Sequence, residues 1–324
     1  MHITKNQILI ALGLIVILAI VLFGNISGPD MKKQTNGNVK GVEIDNTDIP
    51  EKIELSEVAK PPVQINSVKI NPAAKNVILI DQETGQVMYE KGANESVSIA
   101  STTKLTTTAI VLENPDIFDL KEVITVKKET ALVPGSIMGL KPNEKITVEN
   151  LLNGLLVVSG NDAARTLADH YGNIDDFVKK MNDKAEELGM TNSIYKDPAG
   201  YEDEGKSSAR DLAIIASYDL KFPKFREIIK KTEFDIFSTD GVVKHHMKNS
   251  NRLVDPSEPL YLPNAIGMKT GFTLEAGHCL VSAATKNNHT IISVVLNTNS
   301  STNDASARVS REVLNWGLTN WSWD

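Results

Sequence analysis

A long block of helical patterns separates two strand-rich stretches of this chain, and this order constrains the fold more than any other feature. Asn76–Asp81 and Gln86–Lys91 are predicted to form a hairpin, because turn residues lie between two β-rich runs. From Ser101 to about Leu220, apolar residues recur mainly at helical spacing. Three further strands are predicted at Ile266–Phe272, Cys279–Ala284 and Thr290–Leu296, ahead of a terminal helix.

This order predicts an α/β protein of the α+β type. An antiparallel sheet flanked by terminal helices would carry an inserted all-helical subdomain. The cleft between the two parts is the expected position of a functional site.

The composition excludes several classes of protein. With 324 residues, 41% of them hydrophobic and 23% charged, the chain matches a globular protein rather than a polytopic membrane protein or a disordered chain. A formal net charge of −7 gives no basic footprint for nucleic acid, so we expect no nucleic-acid partner. The single cysteine, Cys279, can form neither an intrachain disulfide nor a cysteine-based metal site.

An uninterrupted run of apolar or glycine residues, Ile8–Phe23, follows Lys5 near the amino terminus. At 1.5 Å per residue the run reaches roughly 24 Å, somewhat short of a ~30 Å hydrocarbon core. A signal peptide and a short uncleaved anchor both fit this length. We favour the anchor because Gly24–Gly28 offers no good cleavage site, and either reading predicts an exported protein.

The sequence therefore predicts three parts: an anchor or signal peptide at residues 1–28, a flexible linker at 29–65 and a folded domain at 66–324. The linker mixes both charge signs with Gly, Pro, Asn and Thr, and no aromatic residue occurs between Phe23 and Tyr89. Such a segment cannot bury enough apolar surface to offset the entropy cost of ordering it.

Ser101 and Lys104 form a Ser-x-x-Lys pattern at the predicted start of a helix. Residues at i and i+3 share one helix face, so the lysine amine can reach the serine hydroxyl. A serine needs such a neighbouring base to act as a nucleophile. A second copy, Ser193–Lys196, lies in a predicted extended stretch, where the two side chains would diverge, and we discard it.

Two further patterns are weak when each is taken alone. Ser159-Gly160-Asn161 lies at the junction of two predicted helices, where a cap is the more common role. Lys269-Thr270-Gly271 lies on a predicted strand, where a glycine often marks the close approach of a ligand or backbone. Together with Ser-x-x-Lys, and in this order, they form the set found in penicillin-binding proteins and class A β-lactamases.

The remaining chemistry-bearing residues receive structural interpretations. We expect His245 and His246 in a solvated loop, since no third metal ligand lies at suitable spacing. His278 is expected to have a structural role beside the Lys-Thr-Gly strand, Cys279 to point into the sheet packing, and Asp162 to start a helix.

From about Asn76 to Leu318 the sequence resembles the serine D-alanyl-D-alanine carboxypeptidases, the low-molecular-mass penicillin-binding proteins. The stretches that carry the resemblance are Ile99–Lys104, Leu156–Ala164, Met181-Asn182 with Glu187–Met190, Ser208–Ala213, and Gly267–Thr273 with Ala276-Gly277. The resemblance implies a β-lactamase/transpeptidase-like fold. It also implies removal of the terminal D-Ala from peptidoglycan stem pentapeptides through an acyl-enzyme, with β-lactams as covalent inhibitors.

The resemblance further implies a role for each motif residue, and it implies no metal or cofactor. The catalytic residues would be Ser101 as nucleophile, Lys104 as base and Ser159 as proton relay. The substrate-binding residues would be Asn161, Lys269, Thr270 and Gly271. The backbone N–H groups of Ser101 and Phe272 would form the oxyanion hole. An unperturbed lysine has a pKa near ~10.4, so the base must have a pKa several units lower, and burial and the second lysine both favour this.

The sequence departs from the family pattern in two places. Many relatives have a C-terminal β domain with an amphipathic anchoring helix. Here only a few residues follow the last predicted helix, so we expect the N-terminal segment to supply the anchor at the extracytoplasmic face of the membrane. Many relatives also have a histidine after Lys-Thr-Gly, where this chain has Phe272.

Three other functions share part of this residue pattern. A DD-endopeptidase would use the same residues and stays open. A class A β-lactamase is disfavoured because no Glu-x-x-Leu-Asn pattern follows Ser-x-Asn. A non-hydrolytic β-lactam sensor or cell-wall scaffold is disfavoured because only about seven residues precede the apolar run, and because the serine and both lysines are intact.

Overall fold

The computed structural model describes residues 59–298, 300 and 302–323. The strands of this part are β1 Val63–Gln64, β2 Ala74–Asp81, β3 Val87–Lys91, β4 Val97–Ser98, β5 Val123–Thr125, β6 Lys145–Thr147, β7 Lys206–Ser207, β8 Glu233–Phe237, β9 Lys244–Lys248, β10 Ala265–Thr273, β11 Gly277–Lys286, β12 His289–Thr298 and β13 Trp321–Ser322. Five of them form a central antiparallel sheet in the spatial order β10-β11-β12-β2-β3. The apolar run Ile8–Phe23 and the predicted linker up to residue 58 lie outside the described residues.

A 3₁₀ turn, Ala100–Thr103, leads directly into the first helix. The helices are α1 Lys104–Glu113, α2 Lys128–Ala131, α3 Val148–Val157, α4 Asn161–His170, α5 Ile174–Glu187, α6 Ala209–Asp219, α7 Pro223–Ile228 and α8 Ala305–Asn320. None of these described helices is long and apolar enough to cross a membrane. Within the same residue ranges, no group of three or more His, Cys, Asp or Glu side chains could hold a metal ion.

Both faces of the sheet are covered. Because side chains alternate along a strand, neighbouring residues of one strand enter two different cores. On β2, Ile78 and Ile80 belong to the core shared with the helical block, while Val77 and Leu79 pack in a second core with α8. Two covered faces explain why four successive residues of β2, Val77–Ile80, are apolar. The predicted fold class is confirmed, with one difference in detail. Among the described residues, α8 covers one face as a terminal helix, and the inserted helical block covers the other.

Local sequence signals account for the helix boundaries within the block. The side chains of Thr147, Asn173 and Ser208 each accept the backbone N–H three residues later, at the starts of α3, α5 and α6. Gly189 has φ of 71° just after α5, so it ends that helix as the sequence predicted.

The prediction of a solvated loop at His245 and His246 is wrong. Both residues lie on β9, which pairs with β8 as a hairpin, and they face opposite sides of it. His245 is buried, whereas His246 is exposed and contacts Asp235. Four of the five residues of β9 are charged or polar, and this composition hid a strand whose alternate side chains point inward.

Candidate active site

The Ser-x-x-Lys pattern forms the centre of the site. Ser101 lies in the 3₁₀ turn, Lys104 begins α1, and the Lys104 Nζ atom is 2.9 Å from the Ser101 Oγ atom. The structure therefore brings together the hydroxyl and the amine, as helical spacing requires. Ala100, the residue before the serine, has φ of 49°. A left-handed φ is unfavourable for a residue with a Cβ atom, so backbone strain is stored beside Ser101.

The other contacts of the Lys104 amine are two carbonyl oxygens. Its Nζ donates to Asn161 Oδ1 and to the Ala199 carbonyl oxygen, each at 2.7 Å. The Asn161 amide orientation is fixed because its Nδ2 donates to the Pro134 carbonyl oxygen at 2.7 Å. A neutral amine has two N–H groups and one lone pair. With both N–H groups on these acceptors, the lone pair faces Ser101 Oγ, which is the orientation that a general base requires.

Burial lowers the pKa of the Lys104 amine to about 7, because the protein interior disfavours its charged form. The negative charges of Asp197 and Asp162 oppose this effect and raise the pKa. The balance leaves a substantial neutral fraction of Lys104 near neutral pH.

The second lysine is buried on β10, at the edge of the central sheet. Lys269 Nζ donates to the Thr270 carbonyl oxygen at 2.9 Å, and its side chain is fully buried. Burial, and after it the positive charge of Lys104, holds the pKa of Lys269 well below its usual range. The Thr270 hydroxyl is 2.7 Å from the Ser250 hydroxyl, and both residues line the same cleft.

Gly271 lets β10 pass immediately beside the nucleophile turn. A Cβ atom on Gly271 would lie 3.0 Å from the Ile99 carbonyl oxygen and 3.1 Å from the Ser101 backbone nitrogen. The prediction that this glycine marks a close backbone approach is therefore confirmed by the geometry.

Ser159 and Asn161 lie where the sequence places them, at the junction of α3 and α4, but their contacts differ from expectation. Ser159 is buried with φ of 64° and lines the cleft. Among the described residues, no hydrogen bond joins its hydroxyl to Lys104 or Lys269, so the relay role stays a prediction. Asn161 is committed to the Lys104 amine and to Pro134, and its role as a substrate ligand also stays a prediction.

Residues from all three motifs line one cleft of about 450 Å³. Phe272 lies at its edge with its side chain half exposed, and its ring is stacked on that of His278 at a centroid distance of 4.3 Å. His278 thus supports the residue after Lys-Thr-Gly, in line with the structural role expected for it. Arg252, which the sequence analysis did not single out, supplies a partly exposed guanidinium to the same cleft.

A larger and more open cavity of about 700 Å³ lies beside α5, and its lining includes the discarded pair Ser193 and Lys196. The Ser193 hydroxyl donates to Asp211 Oδ2 at 2.8 Å and lies 2.7 Å from the Ser207 hydroxyl. Among the described residues, no hydrogen bond joins the Ser193 hydroxyl to the Lys196 amine, so the serine–lysine contact of the first pattern is missing here. The geometry supports discarding this second pattern.

Sequence reasoning missed the loop at 197–202, which supplies a carbonyl group to Lys104. The Asp197 carboxylate accepts the backbone N–H groups of Ala199, Tyr201 and Glu202 at 2.7, 3.0 and 2.9 Å. These bonds hold the Ala199 carbonyl on the lysine. The Asp-Pro-x-Gly turn signal at 197–200 could have indicated a fixed loop, but nothing in it names its target.

The segment 134–140, called here the 134–140 loop, was also missed. Asp162 starts the first turn of α4 as expected, and its carboxylate accepts the backbone N–H groups of Met138, Gly139 and Leu140 at 2.9, 2.9 and 3.0 Å. The loop in turn holds the neighbouring Asn161, whose backbone N–H donates to the Ser136 carbonyl oxygen at 2.7 Å. Asp162 is thus a support for the group that contacts Lys104.

The sheet with its inserted helical block, and the serine–lysine pair in the cleft between them, define the transpeptidase-like class of penicillin-binding folds. Residues 62–300 match the family model described as D-alanyl-D-alanine carboxypeptidase. The solved Streptomyces K15 DD-transpeptidase is similar with a TM-score of 0.71 and 32% identity, over 78% of this chain and 99% of that one. The D-alanyl-D-alanine carboxypeptidase DacD from Francisella tularensis is similar with a TM-score of 0.71 and 26% identity, over 83% of this chain and 76% of that one.

Curated relatives agree with the structural neighbours. The D-alanyl-D-alanine carboxypeptidase DacF of Bacillus subtilis (strain 168) is 38% identical over 68% of this chain and 57% of its own length. A D-alanyl-D-alanine endopeptidase of Pseudomonas aeruginosa is 34% identical over 69% of this chain and 71% of its own length. The chain belongs to the D-alanyl-D-alanine carboxypeptidase family. It spans 57–62% of the length of the first three curated relatives it matches.

Gly200 gives a test of how the 197–202 loop is packed. It has φ of 71°, and a Cβ atom there would lie 1.9 Å from the Ala100 carbonyl oxygen. Gly85 has φ of 70°, but a Cβ atom there would meet nothing within 4 Å. Both Gly→Ala variants must place alanine in a left-handed conformation, at about 1–2 kcal/mol. Only Gly200→Ala adds a clash with the nucleophile turn, so urea unfolding should show a clearly larger stability loss than in Gly85→Ala. Equal losses would contradict the packing described here.

Proposed function

We propose that this protein is a serine D-Ala-D-Ala carboxypeptidase that removes the terminal D-Ala from peptidoglycan stem pentapeptides. The reaction passes through an acyl-enzyme, and β-lactams acylate the same serine and block it. The observation that carries the proposal is the 2.9 Å contact between Ser101 Oγ and the fully buried amine of Lys104. Family membership and the named relatives support the choice of substrate.

In the acylation step, Ser101 Oγ attacks the carbonyl carbon of the penultimate D-Ala, and Lys104 takes the hydroxyl proton. The backbone N–H groups of Ser101 and Phe272 stabilise the oxyanion, and each such donor is typically worth about 3–4 kcal/mol. Ser159 passes a proton to the leaving amine. Water then hydrolyses the acyl-enzyme, and the serine hydroxyl is restored.

The terminal carboxylate of the substrate affects the charge of both buried lysines. Lys269 is buried with its pKa held low, so a ligand carboxylate nearby would restore its charge. A charged Lys269 would in turn disfavour the charge of Lys104. Substrate binding thereby keeps the base in its neutral form. Thr270 and Arg252, which line the same cleft, supply further donors for this carboxylate.

The sheet edge supports a peptide substrate. β10 is an edge strand of the described sheet, and at Gly271 it passes close to the nucleophile turn. An extended peptide can add to such an edge by main-chain hydrogen bonds. With its carboxylate at Thr270 and its scissile carbonyl at Phe272, the peptide would run antiparallel to β10.

A DD-endopeptidase acting on cross-links is the second candidate, and the Pseudomonas aeruginosa relative named for that activity favours keeping it. Incubation of purified protein with a pentapeptide and with a cross-linked dimer separates the two, because only an endopeptidase releases monomers from the dimer. The lack of a Glu-x-x-Leu-Asn pattern supports a slow loss of penicillin from the serine rather than its rapid hydrolysis.

We further propose that Ile8–Phe23 tethers the enzyme to the extracytoplasmic face of the cell membrane, with residues 29–65 as a linker. Support comes from the length and apolar character of the run and from its poor cleavage flank. Roughly forty flexible residues have an r.m.s. span of about 35 Å, which lets the domain reach the wall near the membrane.

The nucleophile prediction is tested with Ser101→Ala, with Ser193→Ala as the matched control from the second Ser-x-x-Lys pattern. Ser101→Ala should lose both D-Ala release and covalent labelling by penicillin, since no other serine contacts a lysine amine in the described cleft. Ser193→Ala should retain both. Mass spectrometry of the intact protein checks each outcome, and a full penicillin adduct on Ser101→Ala would overturn the assignment.

The pKa of Lys104 predicts the pH dependence of acylation. The amine acts only without its proton, so the rate should fall about tenfold per pH unit below about 7 and level off above that pH. Stopped-flow acylation by penicillin between pH 5 and pH 9 measures the midpoint. Lys104→Arg cannot lose its proton in this range and should acylate several orders of magnitude more slowly. A rate independent of pH, or near-normal acylation by a folded Lys104→Arg, would remove Lys104 from the base role.

The tether is tested by fractionation and by deletion. Native protein should stay in the membrane fraction after a high-salt wash and keep its amino terminus. A variant lacking residues 1–28 should be soluble and equally active on a free peptide. A mature amino terminus between Gly24 and Asp30, in protein from the soluble fraction, would identify a cleaved signal peptide instead.

A further inference from the structure

A buried pair, His245 and Glu144, lies outside the catalytic motifs. The His245 Nε2 atom is 2.6 Å from Glu144 Oε1, and the two side chains are 2% and 0% exposed. The other ring nitrogen, Nδ1, is 3.1 Å from the Met138 carbonyl oxygen. Both ring nitrogens therefore face oxygen acceptors.

The pair joins two separate parts of the fold. His245 lies on β9, in the β8–β9 hairpin, and its Nδ1 reaches the 134–140 loop at Met138. Glu144 follows that loop, and its second oxygen accepts the Lys141 backbone N–H at 2.9 Å, which closes the turn before β6. The imidazole thus connects the 134–140 loop and the 141–144 turn to the β8–β9 hairpin through its two ring nitrogens.

From the 134–140 loop, a chain of hydrogen bonds leads to the base. The backbone N–H of Met138 donates to Asp162, next to Asn161. The loop also supplies the Pro134 carbonyl that fixes the Asn161 amide, and the Asn161 Oδ1 atom accepts from the Lys104 amine. His245 is therefore linked through three hydrogen bonds and the loop backbone to the Lys104 amine, which must remain shielded from water and correctly oriented.

We propose that His245 and Glu144 are positioning residues for Lys104, acting through the 134–140 loop. The role in catalysis rests on the proposed function. The pair keeps the Asn161 carbonyl oxygen on one N–H of the amine, so that the lone pair stays on Ser101 Oγ. It also keeps the loop closed, which excludes water from the amine.

A purely structural role is the competing interpretation, and apolar replacement separates the two. Removing one partner of a buried ion pair leaves the other uncompensated, whereas replacing both by apolar groups of similar volume is often neutral for stability. The double variant His245→Phe/Glu144→Leu therefore removes the contact between His245 Nδ1 and the Met138 carbonyl oxygen, while it preserves apolar packing. His246→Phe is the matched control, because His246 is the next residue on β9 and is exposed.

The first measurement follows Lys104 directly, by NMR titration of ¹³Cε-labelled lysine, with Lys104→Arg used to assign the signal. In the double variant, water reaching the amine should raise its titration midpoint above the wild-type value, and His246→Phe should leave it unchanged. This readout does not require the protein to turn over any substrate. A folded double variant with the wild-type midpoint would overturn the proposal.

The second measurement is acylation by penicillin, with the unfolding temperature of each variant measured alongside. We expect an acylation rate about 10²-fold lower in the double variant, since small displacements of a catalytic group cost that much, with the noncovalent affinity for penicillin little changed. The pH midpoint of acylation should rise with that of Lys104. Wild-type rate in the folded double variant would refute positioning, whereas failure of the wild type itself to acylate would count against the proposed function alone.

His245→Gln provides a smaller change if the double variant does not fold. A glutamine amide can place a donor near the position of Nε2, so the contact with Glu144 can be kept, but it has no donor at the position of Nδ1 for the Met138 carbonyl oxygen. The Lys104 midpoint should rise in this variant too, by less than in the double variant. An unchanged midpoint in folded His245→Gln would exclude the positioning role.

Discussion

The interior position of the Lys104 amine is the constraint on which the rest of the site depends. Burying an ammonium without a paired charge is costly, so the group lowers its pKa and loses its proton instead. The protein then surrounds the amine with neutral oxygen atoms, from Asn161, Ala199 and Ser101, in place of a contacting carboxylate. The two carboxylates that act on it, Asp197 and Asp162, are bonded to loop backbone. They fix the acceptors while their own charges are taken up by N–H groups.

Backbone strain is concentrated around the same amine. Ala100 and Ser159 have positive φ values although both carry a Cβ atom, and they flank the cleft from different parts of the chain. Gly200 and Gly271 both pack against the nucleophile turn. They pack so closely that a Cβ atom on either residue would make a short contact with the turn. Local preferences are broken where a site needs a special geometry and the surrounding packing can enforce it. The strained turn is thus held from the 197–202 loop on one side and from β10 on the other.

Regular structure was readable from the sequence because it depends on local periodicity. The hairpin and the strands β10, β11 and β12 lie within one or two residues of their predicted bounds, and Gly189 ends its helix as expected. The Ser101–Lys104 contact was readable too, since it needs only one turn of helix. By contrast, Ala199 meets Lys104 across 95 residues of sequence, and a backbone carbonyl carries no residue-type signal. Asn161 was recognised from its motif, but its partner could not be, because an amide serves a substrate and a lysine equally well.

The burial of His245 likewise could not be predicted from local sequence. Its neighbours Lys244, His246 and Lys248 are exposed, so the pattern reads as polar, and only Met247 signals an inward face. A histidine can occupy an inward position when both ring nitrogens find acceptors, and those acceptors come from segments about a hundred residues earlier in the chain. The same reasoning applies to the whole site. Its chemistry is encoded by a few residue types at fixed spacing, whereas its electrostatics come from loops that only the folded chain brings to the base.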